Sequence, residues 1–178
     1  MREYIKRLNL YFGDKIPLQG HSGQVDEQVD ALAAICKNLD EEGDVVEVGF
    51  NAGHSATIFL ENTDKNVISF DILEEGNIAD VAKEYIDMTY PNRHTLVVGD
   101  SRKTVPQFNF ENGISAIYID GDHSYEYAKD DIINCLDKAK SGAVIIVDDI
   151  LSMGYPPHEG PGVAWRESLL DLSIYQAG

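Results

Sequence analysis

The stretch VVEVGFNAGHSA, Val45 to Ala56, decides how the chain is read. It opens on a β-branched run, which reads as a strand buried on both faces. An acid, Glu47, sits near the end of that run, followed by Gly49 and Gly53 with Asn51 between them. Helix-forming residues follow from Ser55. A strand that turns sharply on glycines into a helix leaves unpaired backbone N–H groups at the helix start, and these bind anionic or polar ligand groups. Glycines let a ligand approach the backbone closely, because no Cβ stands in the way.

Working outward, the same alternation recurs. Apolar runs at 44–49, 66–72, 94–99, 114–120 and 143–148 read as strands. Between them lie helical patterns at 55–62, 78–90, 101–105 and 124–140. Ile78, Val81, Ala82 and Tyr85 face inward from the second of these, and Pro91 stops it. The fourth buries Ala128, Ile132, Cys135, Leu136 and Ala139, with Gly142 as its C′ residue, and its Lys129–Asp130–Asp131 run reads as a solvated face. Upstream, residues 3–11 form a short helix, and 24–39 form another with Val25, Val29, Leu32, Cys36 and Leu39 on one face. Downstream, Met153 to Gly162 is a candidate lid loop with three prolines, and 163–172 a last helix. Alternating helices and unbroken apolar strands predict an α/β fold: a Rossmann-like, doubly wound, mostly parallel sheet with helices on both faces. One domain is expected over 1–178, with N-terminal helices at 1–43, a cofactor-binding core at 44–150, and a lid loop and C-terminal helix at 151–178.

Composition excludes several function classes. A formal net charge of −17 argues against nucleic acid or an anionic membrane as partner, since both need basic surface. No apolar run approaches the ~18–20 residues that span a bilayer. The start, MREYIKRLNL, is too polar for a signal peptide. Cys36 and Cys135 give neither metal spacing nor a disulfide framework and read as buried thiols, so a cytoplasmic, reducing setting is expected.

In open α/β sheets, ligands bind beyond the carboxyl ends of the strands. Those ends carry Glu47, then Asp71, then Gly99, Asp100 and Ser101, then Asp120, Asp122 and His123, and finally Asp148 and Asp149. Acids at all five ends are a stronger signal than any one motif. Asp71 lies about 20 residues beyond the glycine turn, where a carboxylate accepts the hydrogen bonds of a ribose diol. The glycine spacing does not suit a dinucleotide: Asn51 and His54 stand where a pyrophosphate needs glycine. A nucleoside without phosphates fits better.

With EVGFNAGHSA, VVGDS, IDGDHSYE and IIVDDI taken together, the chain resembles class I S-adenosylmethionine-dependent methyltransferases from about Gln24 to Ile150. It is similar to the catechol and caffeoyl-CoA type of metal-dependent O-methyltransferases and to sugar and antibiotic O-methyltransferases that carry DGDHSYE. The resemblance implies that Glu47, Gly49 and Gly53 line the methionine part of S-adenosylmethionine and that Ser55 holds its carboxylate, with Asn51 in the same cofactor-binding turn where a small residue is usual. It implies ribose binding by Asp71, and Asp100 and Ser101 beside the adenine. It implies a divalent cation, Mg²⁺ first among them, on Asp120, Asp148 and Asp149. The family's terminal antiparallel strand pair is expected to be shortened or missing, since only SIYQAG follows the last helix. Dimerisation would cover the sheet edge left open.

Three carboxylates without cysteine form a hard, all-oxygen site suited to Mg²⁺, Mn²⁺ or Ca²⁺. Asp148 and Asp149 are adjacent, so both reach one ion only if the strand ends at Asp148. Methyl transfer from a sulfonium needs alignment and a deprotonated nucleophile. A cation on the acceptor hydroxyl supplies both. His123 is the best general base, as an ordinary imidazole titrates near ~6.5, and Asp122 is the second choice. His21, His54, Tyr125, Tyr127, Tyr155 and Trp165 are further candidates for the site or its walls. The expected function is O-methylation of a small-molecule hydroxyl. The alternatives are a non-catalytic nucleoside-binding module and a metal-dependent hydrolase.

Overall fold

The computed structural model describes residues 1–13, 22–39, 42–73, 78–151 and 159–171. In chain order the elements are α1 (Glu3–Phe12), a 3-10 turn (Ser22–Gln24), α2 (Asp26–Lys37), β1 (Asp44–Val48), α3 (His54–Asn62), β2 (Val67–Asp71), α4 (Ile78–Thr89), β3 (His94–Val98), α5 (Ser101–Gln107), β4 (Ile114–Ile119), α6 (Tyr125–Lys138), β5 (Ala139–Val147) and α7 (Glu159–Asp171). The five strands are parallel in the order β3-β2-β1-β4-β5. The chain runs outward from β1 to β3, then returns beside β1 as β4. The reversal of direction falls between β1 and β4, where this architecture opens a crevice at the strand ends.

Alternation along the strands builds two cores. Val45, Val67, Ala116 and Tyr118 join residues of α1–α4 in one. Val46, Val48, Ile68, Phe70, Ile117 and Ile119 join Val105 of α5, Ala128, Ile132 and Cys135 of α6, and Ala164 of α7 in the other. Each large apolar side chain so buried contributes roughly 1.5–3 kcal/mol, and a one-residue slip of β1 would exchange the two faces. Glu47 lies on the α1–α4 side with Val45, inside the first core rather than at its rim. Both cysteines are buried free thiols.

Several boundaries differ from the sequence reading. α6 ends at Lys138, and Ala139 to Gly142 belong to the β5 segment. Ile114 pairs with Ala139 while Ala116 pairs with Val144, so β5 carries extra residues against β4. Gly142, at φ 88°, accommodates this irregularity instead of closing the helix. Val25 precedes α2 and is exposed, whereas Val29, Leu32 and Cys36 are buried as the spacing predicts. α7 begins at Glu159, so the far end of the expected lid loop is helical; residues 152–158 and 172–178 lie outside the described ones, and with them Tyr155, His158 and SIYQAG. No helix among the described residues is long and apolar enough to cross a membrane.

Candidate active site

A cleft of about 620 Å³ opens over the carboxyl ends of the strands. Its lining draws on all five strand ends: Gly49 to Ala52, Asp71, Gly99 to Ser101, Asp120 to His123, and Asp149. The β1–α3 turn shapes its floor. Gly49 has φ 97°, and a Cβ there would fall 2.1 Å from the Asp120 carbonyl oxygen, so only glycine lets β1 and β4 close this tightly. Asn51 also takes a left-handed φ of 44°, which asparagine tolerates better than most residues. Gly53 does not line the cleft. A Cβ on it would press on Ile86, Phe50 and Ala82, so its role is to let α3 start close against α4.

Asp71 closes this turn. Its Oδ2 accepts hydrogen bonds from the backbone N–H of Phe50 (2.7 Å) and Asn51 (2.9 Å), and its Oδ1 from that of Leu73 (2.7 Å). The turn and the second strand-end acid are therefore one unit, as the spacing predicts. A carboxylate has about four lone-pair sites, so three backbone donors leave room for a ligand hydroxyl. Asp100 caps α5 through the Arg102 N–H (3.1 Å) and pairs with the Arg102 and Lys103 side chains at 3.2 and 3.3 Å. The hydrogen bond from Arg102 holds its carboxyl well below the usual range. Arg102 stacks over the Tyr127 ring at 3.7 Å, and Tyr127 lines the cleft.

Glu47 does not line the cleft. It is fully buried; its Oε1 accepts from the Ser69 hydroxyl (2.5 Å), and its Oε2 has no hydrogen-bond partner among the described residues. The Ser69 hydroxyl also meets His94 Nε2 at 2.7 Å, so Glu47, Ser69 and His94 form a chain across β1, β2 and β3. Burial raises the Glu47 carboxyl from the ordinary 4.5 to about 8, against the hydrogen bonds of Ser69 and Ser55. Burial likewise lowers His94 from 6.5 to about 4. Ser55, in the first turn of α3, lines the cleft between Glu47 and the open space.

At the other end, Asp120, His123 and Asp149 converge, with one ligand atom from each lying within 4.8 Å of the others. Burial, then the charges of Asp148 and Asp149, push Asp120 up to about 8. β5 ends at Val147, one residue before the end at Asp148 that the sequence reading set, and Asp149 takes a left-handed φ of 53°. That turn brings its carboxylate to 3.2 Å from His123 Nε2. Asp148 points elsewhere: its Oδ2 accepts from Tyr118 Oη (2.5 Å) and Gln28 Nε2 (2.6 Å), and its Oδ1 from the Asp149 N–H (2.9 Å). Tyr118 also reaches Asp120 at 3.3 Å, tying the two carboxylates together from beneath. Asp122 accepts from the Ser124 N–H (2.8 Å) at the start of α6, and the hydrogen bonding to Ser124 lowers its carboxyl. His54 lines the cleft, with Nε2 2.7 Å from Asn9 Oδ1, while His21 lies outside the described residues. Tyr125 turns away to Glu167, and Trp165 packs against the second core.

Asp131 departs from the solvated face read in the sequence. It is 1% exposed and lines the cleft, and its Oδ1 accepts from the Ser101 hydroxyl (2.6 Å). Burial raises its carboxyl to about 6. The signal was the helical period: Asp131 stands three residues after Ala128 and four before Cys135, within the buried stripe. Gln28 and Tyr118 carry no such signal, because each reaches the site only through tertiary packing.

A family model described as a methyltransferase domain matches residues 46–150. No curated protein matches the sequence. An O-methyltransferase from Bacillus cereus, solved with SAH, superposes with a TM-score of 0.75 at 16% identity, covering 96% of this chain and 80% of that one. The O-methyltransferase TomG from Streptomyces achromogenes, solved with SAM, gives 0.73 at 16% identity, covering 98% and 80%. A putative caffeoyl-CoA O-methyltransferase from Staphylococcus aureus gives 0.75 at 15% identity, covering 98% and 86%. These likenesses establish the class I methyltransferase fold. Because the family model spans more than half of its length, the chain belongs to the methyltransferase-domain family.

Proposed function

We propose that the chain transfers the methyl group of S-adenosylmethionine to a hydroxyl of a small molecule, with a divalent cation at the acceptor end of the cleft. One observation carries the reading: a single cleft joins the turn locked by Asp71 to the group of Asp120, His123 and Asp149. With strands about 4.8 Å apart, the row from β3 to β5 spans roughly 19 Å. That row is long enough to seat a nucleoside over β3, β2 and β1 and a reacting hydroxyl over β4 and β5.

On this reading the nucleoside compartment is the Asp71 carboxylate and the walls given by Phe70, Ile72 and Tyr127. Ser55 and the turn face the amino-acid part. The donor set at the other end fits a hard cation: Asp120 carries two like-charged neighbours that raise its pKa, and a positive ion would relieve them. Asp120 and Asp149 would hold that ion, which would supply Lewis-acid polarisation of the acceptor oxygen. On this reading His123 takes the hydroxyl proton, and Asp149, 3.2 Å from its Nε2, would orient the ring and stabilise the imidazolium. Tyr118 and Gln28 fix Asp148 and so keep the floor of this end rigid.

The test is methyl transfer from S-adenosylmethionine to a panel of catechols and sugars, run with Mg²⁺, with Mn²⁺ and with EDTA. Transfer that EDTA removes and the metal restores supports the proposal. Transfer indifferent to EDTA retains the methyltransferase and discards the cation. Binding of S-adenosylhomocysteine without transfer to any acceptor would favour a non-catalytic module.

A further inference from the structure

Of the acids that line the cleft, Asp131 has no part in the reaction described above, yet its burial is the hardest to account for. It lies in the apolar stripe of α6 among Ala128, Ile132 and Cys135, 1% exposed. An aliphatic side chain there would avoid the cost of desolvating a carboxylate. Its one hydrogen bond among the described residues, from Ser101 Oγ to Oδ1, would be served equally by an asparagine. Oδ2 has no partner among the described residues and lies on the Gly121 side, 3.6 Å from where a Cβ on that glycine would be. Gly121 and Asp131 both line the cleft, together with Phe70, Ile72 and Tyr127.

The competing acceptor at this end is Asp100, and it is already engaged. Its two oxygens serve the Arg102 N–H, the Arg102 guanidinium and the Lys103 ammonium. A carboxylate so paired has little acceptor capacity left for a ligand. Asp131, in contrast, has one oxygen fixed by Ser101 and the other open to the cleft, in an orientation set before any ligand arrives. An acceptor held this way recognises an N–H donor and rejects a carbonyl oxygen at the same point.

We infer that Asp131 sets the base preference of the cofactor site, its Oδ2 accepting the exocyclic amine of adenine while Ser101 holds Oδ1. The inference rests on the reading of the cleft as an S-adenosylmethionine site. Asp131 is a specificity-determining residue, distinct from Asp71, which shapes the turn, and from Asp100, which caps α5.

The test is calorimetric binding to the 178-residue chain at pH 7.5, comparing S-adenosylhomocysteine with S-inosylhomocysteine. The inosine base carries an oxygen acceptor in place of the amine. Wild type is expected to favour the adenine ligand by at least ~30-fold, because two acceptors face each other in the inosine complex. In Asp131→Asn, Ser101 keeps its bond to the remaining oxygen and an NH₂ group faces the cleft, so the preference should fall below ~3-fold or reverse. Wild-type affinities within ~3-fold of each other overturn the inference. So does an Asn variant that loses affinity for both ligands in the same ratio, which would make Asp131 only a support for Ser101. Should Asp131→Asn not fold, Asp131→Ser carries the same comparison, and retention of the wild-type preference overturns the inference. Failure of wild type to bind S-adenosylhomocysteine at millimolar concentration removes the cofactor reading itself, and this inference with it.

Discussion

Replacing Glu47 by glutamine should make the protein more stable, and increasingly so as the pH rises. Glu47 is fully buried in β1, bonded through Oε1 to Ser69 and without a hydrogen-bond partner at Oε2 among the described residues. In the unfolded chain it ionises near 4.5, and in the native protein only near 8, chiefly because burial penalises the charge. Between those values the native state holds a proton that the unfolded state has lost. The contribution is therefore complete below about 4.5, declines as pH rises, and is spent above about 8. Each pH unit in that window is worth about 1.4 kcal/mol, so from pH ~5.5 to pH ~8 wild type should lose about 3 kcal/mol relative to Glu47→Gln. Glutamine mimics the neutral acid at every pH, keeping the acceptor that Ser69 uses. For a chain of this size the melting-temperature gap between the two proteins should widen by roughly 6–12 °C over the same interval. The assay is thermal and urea unfolding of both proteins, without ligand, at several pH values. Taking the difference between the two cancels the titrating groups that do not interact with Glu47; Asp120, whose carboxyl the Glu47 charge also raises, cancels only in part. Curves that stay parallel within ~0.5 kcal/mol from pH ~5.5 to ~8 would refute the reasoning, for Glu47 would then be ionised or hydrated in the native state.

Other outcomes follow from the same geometry. His94, lowered by burial from 6.5 to about 4, contributes stability above pH 6.5 that is lost as pH falls through 4; His94→Gln should flatten the acid limb of the unfolding profile. Gly49→Ala would place a Cβ 2.1 Å from the Asp120 carbonyl oxygen at φ 97°, and should cost more than ~3 kcal/mol or abolish folding. Gly13→Ala, at φ 64° with nothing among the described residues within 4 Å of the added Cβ, should cost only about 1 kcal/mol, which compared unfolding midpoints would show. Asp71→Ala frees the Phe50 and Asn51 N–H groups and should weaken S-adenosylhomocysteine at least ~30-fold by calorimetry. Asp149→Ala, at the far end, should leave that affinity within ~3-fold and remove methyl transfer; equal binding losses in both variants would contradict the division of the cleft.

The fold was legible because its determinants are local and repeated. Five unbroken apolar runs, each followed by a helical pattern, leave few topologies other than a parallel sheet covered on both sides. The pairing of Asp71 with the Gly49 turn was legible too, since parallel neighbours place Val48 beside Phe70 and so bring the ends of β1 and β2 level. What could not be read was how deep each acid lies. Glu47 follows Val45 in the two-residue period of the strand, which puts it within the α1–α4 core. The motif drew the eye to its nearness to the turn, and the alternation had already sent its side chain beneath. The irregular pairing of β5 with β4 was hidden for a different reason. Lys138 to Gly142 suit a helix end as well as a strand start, and only the pairing of Ile114 with Ala139 decides between them.

The aspartate pair after β5 shows where local reading ends. Adjacent residues of an extended strand point to opposite faces, so sequence alone requires that one of Asp148 and Asp149 leave the strand before both can serve one site. β5 does stop at Val147, but ending a strand does not say where the next two side chains go. Two distant contacts determine that. Tyr118 from β4 and Gln28 from α2 each donate to Asp148 and hold it down. With Asp148 held, the chain turns through a left-handed Asp149, and its carboxylate swings to His123. An aspartate accepts such a φ at modest cost, whereas a β-branched residue would resist it. The acid that reaches the open cleft is thus chosen by a tyrosine and a glutamine that no motif marks. Removing either donor, by Tyr118→Phe or Gln28→Leu, acts on the acceptor end through Asp148 while leaving the turn at Gly49 and Asp71 intact.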